Sequence, residues 1–194
     1  HINRHYVVGD TVRRAIGYTL LKLLIDAMLS QHGVGTFAES FVAASVGERE
    51  ALRLIAGAGL SAEIATFVRA LPLDIDYAAD CGADCVHLVV PVSDLHIGAK
   101  LRKSREQVCE MAWNAVEYAK ERGLVVELSG EDASRADPDY LAGLFRGGVE
   151  RGADRLCFCD TVGILTPEQV ASVIPGLLFA PLSIHCQRGP SAWR

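Results

Sequence analysis

The chain has 194 residues, 50 % of them apolar and 22 % charged, a profile that fits one globular domain with a large core and excludes a fibre, a coiled coil or a disordered tail. Its 19 basic and 24 acidic residues leave a formal net charge of −5, which gives no electrostatic reason to expect nucleic acid or an anionic membrane as partner. The most apolar early stretch, 15–30, is broken by Lys22 and Asp26, short of the roughly 18–20 residues a membrane span needs, so a cytoplasmic protein is expected.

In chain order, β-rich runs fall at 6–12, 35–41, 62–68, 86–92, 124–129, 155–160 and 182–186. Most are nearly continuous hydrophobics, the pattern of parallel strands buried on both faces. Helical patterns lie between them, clearest over 104–122, where Val108, Met111, Ala112, Ala115, Val116 and Ala119 form one apolar stripe. Asp137-Pro138 and Thr166-Pro167 read as helix N-caps followed by a first-turn proline. The helix-to-strand junctions carry Gly33, Gly57 with Gly59, Gly82, Gly123 and Gly152, suited to helices that end in the left-handed conformation.

Seven strands and six helices in strict alternation leave a barrel or a doubly wound sheet. Polar residues decide between them, because a barrel gathers its chemistry at the C-terminal ends of many strands. Those ends hold Ser93, Asp94 and His96, then Ser129, Glu131 and Asp132, then Asp160 and Thr161, and finally His185. A doubly wound nucleotide binder needs a glycine-rich loop after its first strand, and Asp10-Thr11-Val12-Arg13-Arg14 is not one. The expected fold is α/β, an incomplete (β/α)8 TIM barrel over 1–194, since complete barrels take about 250 residues and at least about 200.

Six cysteines sit in apolar runs or on a helix face without Cys-x-x-Cys spacing. Reduced core thiols are the plainer reading, a metal or redox site the other. Cys157 and Cys159 alternate along one strand, which points both sulfurs to the same face.

Five ordered motifs carry a resemblance. Ser93-Asp94-Leu95-His96, the helix from Lys103-Ser104-Arg105-Glu106, Glu127-Leu128-Ser129-Gly130-Glu131-Asp132-Ala133-Ser134-Arg135, Cys159-Asp160-Thr161-Val162-Gly163 with Thr166-Pro167, and Ser183-Ile184-His185-Cys186 resemble the catalytic barrel of the 2-isopropylmalate, homocitrate and citramalate synthases. The resemblance covers about 45–186. It implies a divalent metal (Mg, Mn or Zn) that chelates a 2-oxo acid while acetyl-CoA is deprotonated and attacks the carbonyl.

Carried over by position, the resemblance makes His185 a metal ligand and Arg14 the guanidinium that steadies the oxyanion. Glu131 and His96 become catalytic residues, Ser129 and Thr161 substrate-contacting hydroxyls, and Glu39 a substrate-binding carboxylate. The sequence departs from the family where Ala15 replaces the metal-binding aspartate, Gly17 the glutamate after it, and Gln187 the second histidine of a His-x-His pair. Asp10 then remains as the carboxylate able to serve the metal. Each residue also has a plainer reading: Glu131 or Asp132 as helix cap, His96 as a loop histidine, Thr161 as a turn former, Asp160 as a holder of backbone amides, and Glu39 as an edge residue.

The residues 187–194 do not follow the family, and a change of reading frame is the expectation for that tail. A barrel short of its last unit exposes strand edges, so a homo-oligomer is expected. The functional expectation is a relative of the acetyl-CoA-dependent 2-oxo-acid carboligases, impaired at its metal site. The alternatives are another lyase or hydrolase activity in the residual pocket, or a non-catalytic fragment that persists by association.

Overall fold

The computed structural model describes residues 41–58 and 63–186. Its elements are α1 (Val46–Ala56), β1 (Ala65–Arg69), α2 (Pro72–Asp80), β2 (Cys85–Pro91), the short α3 (Asp94–His96) running into a π-helical turn (Ile97–Leu101), α4 (Arg105–Glu121), β3 (Val125–Glu131), α5 (Pro138–Glu150), β4 (Arg155–Asp160), α6 (Pro167–Val173) and β5 (Leu182–Cys186). No helix among the described residues is long and apolar enough to cross a membrane.

All strand pairs are parallel, and the spatial order β1-β2-β3-β4-β5 repeats the chain order. A doubly wound sheet reverses direction at a switch point. This sheet does not, so the polar-end argument for a barrel holds. Phe41 forms a parallel bridge to Phe67, which puts the end of the expected 35–41 strand beside β1. The rest of that run and the expected 6–12 strand lie outside the described residues, as does the tail 187–194.

The strand faces sort by chemistry. On β3, Val126 and Leu128 are fully buried in the main core, and a Cβ on Gly130 would meet Leu141 and Phe145 of α5 at 3.3 Å. Glu127 and Ser129 point to the opposite, inner face. Register aligns His87, Glu127 and Arg155 in one row of that face and Val89, Ser129, Cys157 and Ser183 in the next. Glu127 is 2 % exposed and carries this inner row. Its Oε1 accepts from Ser183 Oγ at 3.1 Å and lies 3.5 Å from His87 Nδ1, while its Oε2 lies 3.5 Å from Arg155 Nε.

Helix ends follow the expected chemistry. Ser104 and Thr166 close capping boxes with Gln107 and Gln169, and Asp137 accepts from Tyr140 N–H ahead of Pro138. Gly82, Gly123 and Gly152 take φ of 82°, 79° and 102° at the helix-to-strand turns. Gly57 does not: its φ is −76°, because α1 ends there in right-handed geometry.

A repeated Gly-Ala-Asp stitches neighbouring units. Asp84 accepts from Ile64 N–H at 2.9 Å, just ahead of β1, and Asp154 accepts from Val126 N–H at 2.8 Å in β3. In each case the aspartate at the mouth of one strand holds the backbone of the strand before it. Lys120 reaches the same Asp154 carboxylate at 2.8 Å.

Helices α4 and α5 pack where α5 offers Gly147, while Gly148 faces Leu128 of β3. A Cβ on Gly147 would stand 2.5 Å from the Trp113 indole, which is fixed by its Nε1–H bond to Leu144 O at 3.0 Å and by Arg151 stacked 4.4 Å above the ring. Alanine ordinarily gains about 1 kcal/mol over glycine inside a helix. Here overpacking of about 1–3 kcal/mol opposes and outweighs that gain. Gly147→Ala is therefore expected to lower the urea midpoint, whereas Gly143→Ala, with open space around its Cβ, is expected to raise it.

Candidate functional site at the barrel mouth

The C-terminal ends of β2, β3 and β4 converge on Asp132. This residue has no solvent exposure and a left-handed backbone, φ 66° and ψ 36°. Aspartate is among the few non-glycine residues that adopt that conformation at modest cost. Ser93 Oγ, at the end of β2, donates to Asp132 Oδ2. Arg135 donates from Nε to Oδ1 at 2.8 Å and from Nη2 to Oδ2 at 2.7 Å. The Asp132 N–H donates to Thr161 Oγ1 at 2.9 Å, which brings in the end of β4. Burial pushes the carboxyl pKa up, but hydrogen bonds from Arg135 and Ser93 more than offset this and hold it below the usual aspartate value.

His96 stands against this carboxylate and its neighbour. Its Nε2 is 3.8 Å from Asp132 Oδ2, and its Nδ1 is 3.8 Å from Glu131 Oε1. The Ser93 hydroxyl also accepts from His96 N–H at 3.2 Å, so one serine ties the short helix carrying the imidazole to the carboxylate beside it. Nδ1 is buried and makes no hydrogen bond among the described residues. Lys100 Nζ lies 2.6 Å from Glu131 Oε1, fixing that carboxylate from the π-helical turn. The pair also lines an open cavity of about 650 Å³ whose other walls include Phe41, Phe67, Leu71 and Met111.

The residues singled out in the sequence thus separate. His96 and Glu131 come together. Thr161 holds the Asp132 backbone, and Asp160 holds loop amides, accepting from Ile164 N–H at 3.1 Å and Leu165 N–H at 3.0 Å. Ser129 is buried on the inner face, its Oγ without a hydrogen-bond partner among the described residues. His185 is exposed on β5, paired in register with Cys159. Asp10, Arg14 and Glu39 lie outside the described residues. Asp132, read from the sequence as a possible helix cap, makes no side-chain cap to the turn that follows it. Lys100, not singled out in the sequence, is the partner of Glu131. Its signal was weak, because the two are 31 residues apart.

The metal implied by the resemblance finds no home in this part of the chain. Among the described residues no three His, Cys, Asp or Glu side chains group so as to hold an ion. Of the imidazoles that the resemblance assigns to the metal, the described residues hold His185, and the sequence places Gln187 two residues on.

A family model described as HMGL-like matches residues 12–187. The chain belongs to the HMGL-like family. It is 74 % identical over 165 residues to a putative (R)-citramalate synthase of Methanoculleus marisnigri and 50 % identical over 168 residues to the (R)-citramalate synthase of Methanocaldococcus jannaschii. Each match covers 85 % of this chain but only 33 % and 34 % of the relative, so the chain spans about a third of the length of these curated relatives. These matches bear out the resemblance to the isopropylmalate, homocitrate and citramalate synthases. Among solved structures, HMG-CoA lyase of Bacillus subtilis is similar with a TM-score of 0.71 and 18 % identity, over 95 % of this chain and 63 % of that one. A second HMG-CoA lyase, from Acinetobacter baumannii in complex with coenzyme A and 3-methylmalate, gives a TM-score of 0.70 and 16 % identity over 95 % and 62 %. At such identities the likeness shows the HMGL-like barrel fold alone.

The depressed Asp132 pKa has a definite sign. The stabilisation is present above the unfolded aspartate pKa of about 3.9 and is lost as pH falls below it. Asp132→Asn keeps a side chain that tolerates the left-handed backbone but removes the charge. It is expected to cost about 1–3 kcal/mol at pH 7. Urea midpoints measured from pH 7 down to pH 3 check this: wild type falls more steeply below pH 4 than the variant.

Proposed function

We propose that this chain carries part of the catalytic face of an acetyl-CoA-dependent 2-oxo-acid carboligase of the citramalate synthase type. The observation that carries the reading is the His96–Glu131 pair, held by Ser93, Asp132 and Lys100 at the strand ends where barrel enzymes place their chemistry. The name of the relatives fixes the bond to be made. Citramalate divides into a two-carbon acetate unit and pyruvate, so acetyl-CoA, pyruvate and water give citramalate, CoA and a proton.

In this reading Glu131 and His96 handle the proton of the acetyl methyl. His96 Nδ1, buried and without a hydrogen bond among the described residues, faces Glu131 Oε1 at 3.8 Å, which places the two groups to relay that proton. Lys100 keeps Glu131 oriented and balances its charge. The cavity beside Glu131 offers apolar walls to the acyl group, and the Ser129 hydroxyl on the inner face serves as a donor toward the 2-oxo acid. Arg14 is assigned to the developing alkoxide by resemblance.

We further infer that turnover by this chain is impaired. A metal supplied to the site acts as Lewis acid for the carbonyl. The described residues offer it one imidazole, and Ala15 and Gln187 stand where the family has ligands. Asp10 and His185 are the residues left to bind it weakly.

The test measures thiol release from acetyl-CoA with pyruvate and Mn²⁺, alongside metal binding by the full chain. The expected result is little release by wild type and a rise of at least about a hundredfold, on the scale of a restored metal role, in the double variant Ala15→Asp with Gln187→His. Adding Glu131→Gln to that double variant is expected to remove about 10²–10⁴ of the gained rate. Stoichiometric Mn²⁺ and rapid release by wild type overturn the impairment. A double variant that binds Mn²⁺ but releases no thiol overturns the carboligase reading.

A further inference from the structure

The inner face of β4 carries two thiols that the proposed reaction does not use. Cys157 and Cys159 sit two residues apart with their sulfurs 3.7 Å from each other. Cys157 is buried at 5 % exposure, Cys159 is half-buried, and neither is in a disulfide. Register places Cys157 between Ser129 and Ser183, and Cys159 opposite His185. Of the other cysteines, Cys81, Cys85 and Cys109 are buried, and burial pushes the Cys85 thiol up to about 12.

Strand geometry disfavours direct closure of this pair. Two residues along an extended strand separate Cα atoms by about 6.6 Å, near the upper end of the roughly 4.4–6.8 Å that disulfides span. The two sulfurs, in contact at 3.7 Å, need only a small further approach to bond one bridging atom between them. The number of available ligands then selects the centre. A soft divalent ion needs more protein ligands than two, and among the described residues no group of three exists. A monosubstituted trivalent arsenical needs only two sulfurs.

We propose that Cys157 and Cys159 form a chelating dithiol site for monosubstituted trivalent arsenicals on the inner face of the barrel wall. With an arsenical R–As=O, the arsenic–oxygen bond breaks and two As–S bonds form. The oxygen leaves as water with both thiol protons. Arsenic stays trivalent, sulfur is not oxidised, and no further reactant is required. The adduct occupies the row that holds Ser129. Any block of catalysis rests on the function proposed above, whereas binding does not, so the test reads binding.

Phenylarsine oxide is added to the full chain in equimolar amount. The expected result is one phenylarsenic per chain by intact mass, loss of two titratable thiols, and release by a small dithiol but not by an equal concentration of monothiol groups. Cleavage before aspartate frees 154–159, and the mass increment is expected on that peptide. Cys157→Ser and Cys159→Ser each weaken binding at least about a hundredfold, the scale of a lost chelate. Cys109→Ser leaves it unchanged. An adduct on any other peptide, or release by monothiol, overturns the proposal. Peptide mapping of the wild type decides the matter even where a serine variant fails to fold.

Discussion

The barrel mouth depends on one buried charge. Asp132 has no contact with solvent, yet its carboxylate takes bonds from Ser93 and Arg135 while its amide bonds Thr161. An ionised carboxylate removed from water is expensive unless its oxygens are engaged, and here both are. Because the partners come from the ends of β2, β3 and β4, satisfying this single group fixes three strand ends relative to one another. His96 and Glu131 inherit their geometry from this arrangement.

A second polar layer lies deeper on the inner face. Glu127 gathers Ser183, His87 and Arg155, and Arg155 continues to Glu63. The barrel wall therefore has an apolar outer face, packed on helices, and an inner face built of linked charges. One carboxylate per layer does the joining. Isolated charges at these positions would be costly, whereas a network lets each donor and acceptor serve two strands at once.

Much of the fold was legible because it is written in short-range chemistry. The bounds of β4 and β5 agree with the hydrophobic runs, and α4 begins and ends within a residue of the helical pattern over 104–122. Caps at Asp137 and Thr166 are equally local, and the capping box at Ser104, equally short-range, comes from the structure. What stayed hidden is long-range. Asp132 looked like a possible helix cap because Ala133–Arg135 follows it, while the residues that give it meaning, Ser93 and Thr161, lie 39 and 29 positions away. Lys100 stayed hidden for the same reason, 31 residues from Glu131. Gly57 shows the opposite error, a local signal that the helix end did not use. The motifs of the synthase resemblance contain Asp132 as well as His96 and Glu131, but they give a site role only to the last two and none to the buried residue that positions them.

The Gly-Ala-Asp stitches bear on the order in which such a chain assembles. Each aspartate reaches back only to the strand just before it, so every stitch can close as soon as its own unit is made, with little loop entropy to overcome. Growth of this kind resembles a zipper, with nearest-neighbour steps of similar size. The Asp132 knot is different, since it cannot tighten until β4 delivers Thr161. The wall can therefore form progressively from one end, while the chemistry at its mouth appears late and all at once.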